Sequence, residues 1–203
     1  MRPVHGWLLV LALLVPGWAG AYEVCGSLEN GYGPFDYRTR KDKLPIVERH
    51  HFNSNVEMLV RGITGSVGGD IDYTLRAFPN HHRALASMAN LALRRKTERP
   101  RGAQYTVPCY FERAIRFARD DGNVRMIYGT YLLRKGDANG AREQMELASK
   151  LVGENANLHY NLGLVYFDLK EYELARSHAK RAYDMGFPLP GLREKLQRAK
   201  QWD

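Results

Sequence analysis

The sequence predicts an all-α fold of stacked helical hairpins, and three observations carry that prediction. The C-terminal half repeats itself every 34 residues, its segments place apolar residues three and four positions apart, and glycine and proline breakers separate those segments. A chain of 203 residues is long enough for one domain with a real core and too short for two full enzyme domains.

Under the 34-residue step, Gly129 returns as Gly163, Ala141 as Ala175 and Ala148 as Ala182. The same step carries Ala114 to Ala148, Phe111 to Met145, Tyr128 to Leu162 and Leu132 to Tyr166. Small residues at fixed places let two helix backbones approach, and the large apolar residues between them fill the remaining space. The clearest copies span 122–155 and 156–188.

The second copy holds Leu162-Gly163, Tyr166, Tyr172, Ala175 and Ala182, and the first holds Tyr128-Gly129, Leu132, a Lys135-Gly136-Asp137 turn, Ala141, Met145 and Ala148. On these residues the chain resembles the tetratricopeptide repeat family. It departs from the family pattern at His159 (usually Trp), at Ala179 (usually Phe) and at Pro188, one residue late. The resemblance implies a right-handed superhelix of about three to four helical hairpins. It also implies a groove, lined by the first helix of each pair, that holds an extended peptide or a partner helix.

Taken in chain order, residues 1–21 read as a signal peptide: Arg2, an apolar run from Trp7 to Val15, then Ala19-Gly20-Ala21, with cleavage expected after Ala21. Residues 22–53 read as an irregular strap whose Asn30-to-Arg38 stretch is rich in Gly, Pro and aromatics and covers the first repeat. Repeats occupy 54–188. Upstream of the two clear copies, a degenerate hairpin pairs Ser54–Ile63 with Asp70–Phe78, and a helix over His82–Lys96 pairs with one over Cys109–Ala118. The insertion between the latter two, Thr97 to Pro108, carries two prolines and a glycine that a helix would not tolerate. Residues 189–203 form a capping helix, with Leu192, Leu196 and Ala199 on one face and basic residues on the others.

The mature chain has no apolar run of about 18 residues, which excludes a channel or permease. Arg2 is the one charged residue in the leader, leaving 29 basic against 22 acidic residues, a balance of +7. For an exported chain, that balance points to acidic partners or anionic envelope surfaces rather than nucleic acid. Cys25 and Cys109 both lie in the exported part, where an oxidising compartment favours their pairing. The expected location is periplasmic or secreted.

The groove positions implied by the resemblance are Arg83, Ser87, Asn90 and Arg94; then Met126, Thr130 and Leu133; then Tyr160, Asn161, Leu164 and Phe167. They combine an apolar floor with a basic, amide-bearing entrance suited to a peptide backbone. Two histidine doublets, His50-His51 and His81-His82, raise a second reading: a metal-binding protein or metal-dependent enzyme using His51 and His82. Adjacent helical residues diverge by about 100 degrees, so neither doublet can aim both rings at one ion, and no metal is expected. Asp70, after Gly68-Gly69, reads as a helix N-cap rather than part of a catalytic Asp-x-Asp pair with Asp72. No nucleophile elbow, zinc motif, phosphate loop or dinucleotide fingerprint occurs, so the expectation is a scaffold without cofactor or catalysis.

Overall fold

Side chains that accept from exposed amides set where the long helices begin. In the computed structural model, which describes residues 25–202, Ser66 accepts from Gly69 N (3.1 Å), His81 from Ala84 N (3.1 Å), Asp137 from Gly140 N (2.9 Å) and Asn155 from Leu158 N (2.9 Å). Each such cap supplies about 0.5–2 kcal/mol to its helix. The described residues form ten helices and no strand: α1 Leu44–His51, α2 Ser54–Glu57, α3 Val67–Ala77, α4 His82–Arg95, α5 Val107–Phe117, α6 Gly122–Lys135, α7 Ala138–Ser149, α8 Ala156–Asp168, α9 Tyr172–Asp184 and α10 Gly191–Arg198. The expected leader, 1–21, lies outside the described residues.

Helix ends also recur. Gly136 (φ 89°) donates to Leu133 O at 3.0 Å while Asp137 donates to Leu132 O at 2.9 Å, a closed pair of bonds that stops α6. Thirty-four residues on, Lys170 (φ 63°) and Glu171 make the same bonds to Phe167 O and Tyr166 O, both 2.9 Å. The caps follow the same step, from Asp121 to Asn155. Upstream the step lengthens to 40: Phe78 N and His81 N bond back to Thr74 O and Phe78 O, as Ala118 N and Asp121 N do to Ala114 O and Ala118 O. The six extra residues lie in the loop between α4 and α5, whose Pro108 is tolerated in the first turn of α5.

Packing repeats as well. A Cβ on Gly129 would sit 3.1 Å from Ala141 O, and one on Gly163 would sit 3.1 Å from Ala175 O. The small residue is thus required at the same crossing of α6 on α7 and of α8 on α9. In the first crossing the adjoining space holds the Met145 methyl group, and in the second it holds Leu192 Cδ2 from α10. Ala179, the departure from the repeat pattern, leaves a space that a fully buried leucine of the last helix fills. Full burial of such a side chain is worth about 1.5–3 kcal/mol.

Three apolar clusters run along the chain. One joins α2 to α6, a second joins α6 to α10, and a third fastens Tyr32, Phe35, Tyr37 and Leu44 onto Val47, Ala77 and Phe78. The strap is irregular only to Lys43, because Pro45 in the first turn and the buried Val47 make 44–51 a helix. It lies against the α3–α4 corner, where Phe35 N donates to Ala77 O (2.9 Å) and Tyr37 N to Asn80 Oδ1 (2.9 Å). Gly33, at φ 99°, passes so close to Ala77 O that a Cβ would stand 2.5 Å from it.

Two upstream boundaries differ from the sequence reading. The helix starting at Ser54 stops at Glu57 rather than Ile63, since Leu59 turns left-handed at φ 60°. Ser66, not Asp70, caps α3. Asp70 sits one turn inside and accepts from Ile63 N (2.6 Å) and Thr64 N (3.2 Å), pinning the preceding loop. The Cys25–Cys109 disulfide is present, with its Cα atoms 5.1 Å apart, and ties the start of the strap to α5.

Candidate partner-binding groove

Helices α4, α6 and α8 pack side by side in succession, so their equivalent faces adjoin. On α4, Asn90 and Arg94 are exposed and line a cavity of about 490 Å³ together with Glu57, Met58, Leu59, Leu93 and Arg134. Arg134 Nη1 donates to the side-chain amide oxygen of Asn90, Oδ1, joining α6 to α4 across the face. Its membership could have been read from the sequence, because it lies four residues after Thr130 and so on the same side of α6. Arg94 has no carboxylate partner among the described residues, and neither does Arg134.

The other expected positions are not equally open. Ser87 is buried and donates to Glu57 O at 3.0 Å, so the segment containing α2 lies over that part of α4. Arg83 is exposed but held: its Nε donates to Glu57 Oε1 (2.7 Å) and its Nη1 to Glu48 Oε1 (3.2 Å), and these carboxylates raise its pKa further. Tyr160 is buried, with its ring stacked on Phe187 at 4.3 Å and Gly191 close to its hydroxyl. Two of the eleven positions, Ser87 and Tyr160, therefore present no side chain to a partner.

Met126, Thr130, Leu133, Asn161, Leu164 and Phe167 are half-buried. Met126, Leu133, Leu164 and Phe167 border the second core cluster, and Thr130 Oγ1 donates to Met126 O (2.9 Å) within its own helix. Lys195 reaches over the Phe167 ring at 5.1 Å, and Tyr172 meets that ring edge-on at 5.4 Å. The result is a face of apolar, half-open side chains with a cationic end at Arg94 and Arg134, where the one lining carboxylate, Glu57, is already paired with Arg83.

The histidines are engaged elsewhere. His51 Nδ1 lies 3.1 Å from Asp70 Oδ1 and its ring stacks on Tyr73. His82 Nε2 lies 2.8 Å from Asp121 Oδ2. His81 caps α4 through Nδ1, which fixes Nε2 as the donor to Glu48 at 3.2 Å, and burial lowers its pKa. Among the described residues, no group of three or more His, Cys, Asp or Glu side chains is placed to hold a metal. His51 and His82 are each committed to a different carboxylate. Asp72 is likewise structural: it accepts from Gln104 N (3.0 Å), the Tyr110 hydroxyl and Arg76 Nε (3.0 Å), fixing the α4–α5 loop to α3.

A pair that the residue spacing did not reveal, buried His159 and half-buried His178, joins α8 to α9. His159 Nδ1 and His178 Nδ1 are 2.8 Å apart, and His159 Nε2 lies 3.1 Å from Gly153 O. His159 therefore donates to Gly153 and accepts from His178, an arrangement that needs the His159 ring neutral and a proton on His178 Nδ1. Burial lowers both pKa values, that of His178 to about 4.

These elements define the class: an all-α protein of recurring helix pairs, with a half-open face across α4, α6 and α8 and a disulfide-tied strap. No described helix is long and apolar enough to cross a membrane. Neither the comparison with protein-family models nor that with curated proteins finds a match.

Proposed function

We propose that the chain is an exported, tetratricopeptide-like scaffold that binds a protein segment along the face formed by α4, α6 and α8, in a cell-envelope assembly. The observation that carries this reading is the shared register. Gly129 and Gly163 approach Ala141 O and Ala175 O at the same 3.1 Å, 34 residues apart, as equivalent positions of a superhelical repeat must. The disulfide supports an oxidising compartment, and the N-terminal sequence supports export into it. Binding rests on Asn90, Arg94 and Arg134 at the cationic end and on Leu133, Leu164 and Phe167 along the floor. Arg83, Ser87 and Tyr160 serve the framework.

The test is recovery of partners from an envelope extract by the oxidised protein and by variants Arg94→Ala, Asn90→Ala and Leu164→Asp. A partner retained by the native chain and lost from these folded variants supports the groove. A set of bound proteins that none of the three substitutions alters refutes it.

A further inference from the structure

On the side of α6 turned away from the groove lies a second concavity. Tyr128 sits there, about 140–160 degrees around the helix from Met126, Thr130 and Leu133, and Arg125 sits beside it, about 80–140 degrees from them. Its volume is about 510 Å³, within the range of small-molecule sites. Ile115, Arg116 and Arg119 form the α5 wall, with Pro108 and Glu112 completing it. Three guanidinium groups thus meet one carboxylate, beside an apolar surface.

The three cations differ in how they are satisfied. Arg116 stands 3.3 Å from Glu112 Oε1 and donates to Gly26 O at 2.7 Å, so it is held between its own helix and the disulfide-tied strap. Arg125 is half-buried, yet it donates only to the neutral amide oxygen of Gln144, at 3.3 Å. Arg119 is exposed and has no partner among the described residues. Elsewhere, arginines withdrawn from solvent find anions or several carbonyls: half-buried Arg38 takes Asp36 and Asp120, half-buried Arg76 takes Asp72, and the fully buried Arg113 spans the carbonyls of Cys25, Gly26 and Ser27. Arg125 stands apart: no carboxylate lies within ion-pair distance of it among the described residues, Glu143 acts on it only from farther off, and burial outweighs that charge and lowers its pKa. A partly buried guanidinium in this state is stabilised by any oxyanion that reaches it, most of all one that accepts two parallel N–H bonds.

We propose that this α5–α6 cleft is a binding site for a small anionic ligand whose phosphate or carboxylate group is held by Arg119 and Arg125. The ligand's aromatic or aliphatic body lies against Ile115 and Tyr128. Tyr128 is itself braced by stacking on Phe111 at 4.6 Å, which gives the apolar wall a fixed orientation. Arg116, anchored by Gly26, closes the inner end and adds charge rather than a flexible contact. The site shares no residue with the groove, so either assignment can fail without the other.

Calorimetric titration of the oxidised full chain at low salt tests it, with phenyl phosphate, benzoate and inorganic phosphate as probes. The expected result is saturable binding of at least one phenyl compound, tighter than inorganic phosphate and weakened by added salt. Whether phenyl phosphate or benzoate binds more tightly identifies the headgroup. Arg119→Gln and Arg125→Gln should each weaken binding by about tenfold or more, as loss of a charge-assisted contact does, while Asn90→Ala leaves it unchanged. Because Arg119 is exposed, its variant reports on binding even if the Arg125 variant folds poorly. No saturable binding of either phenyl compound, or affinity unchanged by Arg119→Gln, overturns the proposal.

Discussion

Replacing Gly163 by leucine tests the packing of the last helix pair. A Cβ at this position would lie 2.5 Å from Leu192 Cδ2 and 3.1 Å from the carbonyl oxygen of Ala175. Leu192 is fully buried, so its Cδ2 can move only within the packed interior, and Ala175 O belongs to the backbone of α9, which yields less readily than a side-chain end. Overpacking of this kind costs about 1–3 kcal/mol. Gly163→Ala recovers up to about 1 kcal/mol through its helix preference and should end close to neutral or mildly destabilised. Leucine adds three further carbon atoms at the same crossing and should sit near the upper end, about 3 kcal/mol. For a chain of this size that lowers Tm by about 6–12 °C. Gly65, which has nothing within 4 Å, provides the control: Gly65→Ala should change stability by less than about 0.5 kcal/mol. Urea and thermal unfolding followed by circular dichroism measure all three. A Gly163→Leu variant that melts within 2 °C of the native chain would show that α8, α9 and α10 do not meet as described.

The remaining predictions concern the strap, the helix ends and pH. Replacing Cys25 and Cys109 with serine opens a loop of 84-residue separation and should cost about 4–5 kcal/mol in the chain-entropy account, with earlier proteolysis between residues 25 and 43; equal stability of the two forms by urea unfolding counters this. Lys170→Gly relieves a left-handed lysine and should stabilise by about 0.5–1 kcal/mol, read as a shift in urea midpoint at constant slope. His178 keeps its proton off in the folded state down to about 4, whereas the unfolded ring takes one up near 6.5. The unfolded chain therefore binds more protons between those values, and stability falls as pH drops from 6.5 toward 4, by up to about 3 kcal/mol from this residue. His178→Asn should flatten that slope in unfolding measured at pH 7 and pH 5; an unchanged slope removes His178 as its source.

The helix pairs from Gly122 to Asp184 were legible because spacing records which residues share a face, and Gly163, Ala175 and Ala182 must be small wherever backbones cross. The disulfide was legible because two cysteines leave a single intramolecular pairing, and the N-terminal sequence pattern suggested a compartment that would oxidise them. What spacing does not record is which distant segment returns to cover a face. Ser87 reads as open until residues 53–57 lie across α4, and Tyr160 until Phe187 and Gly191 fold back on α8. Asp70 looked like a cap because Gly68-Gly69 precede it, yet Ser66 competes three residues from Gly69 N and wins, freeing Asp70 to hold Ile63 and Thr64. The cationic cleft was hidden for a related reason. Arg119 and Arg125 look like dispersed surface charge until α5 and α6 fold together and leave Arg125 half-buried without a carboxylate at ion-pair distance.

The scaffold reading is tested most directly by photo-crosslinking from single positions in the native compartment. A benzoyl-phenylalanine placed at Arg94 or Asn161 faces the proposed groove, whereas one at the exposed Glu146 on α7 lies outside it. The account predicts one discrete protein adduct from Arg94 and Asn161 and none from Glu146. The same adduct from all three positions, or from Glu146 alone, would contradict a binding face on α4, α6 and α8.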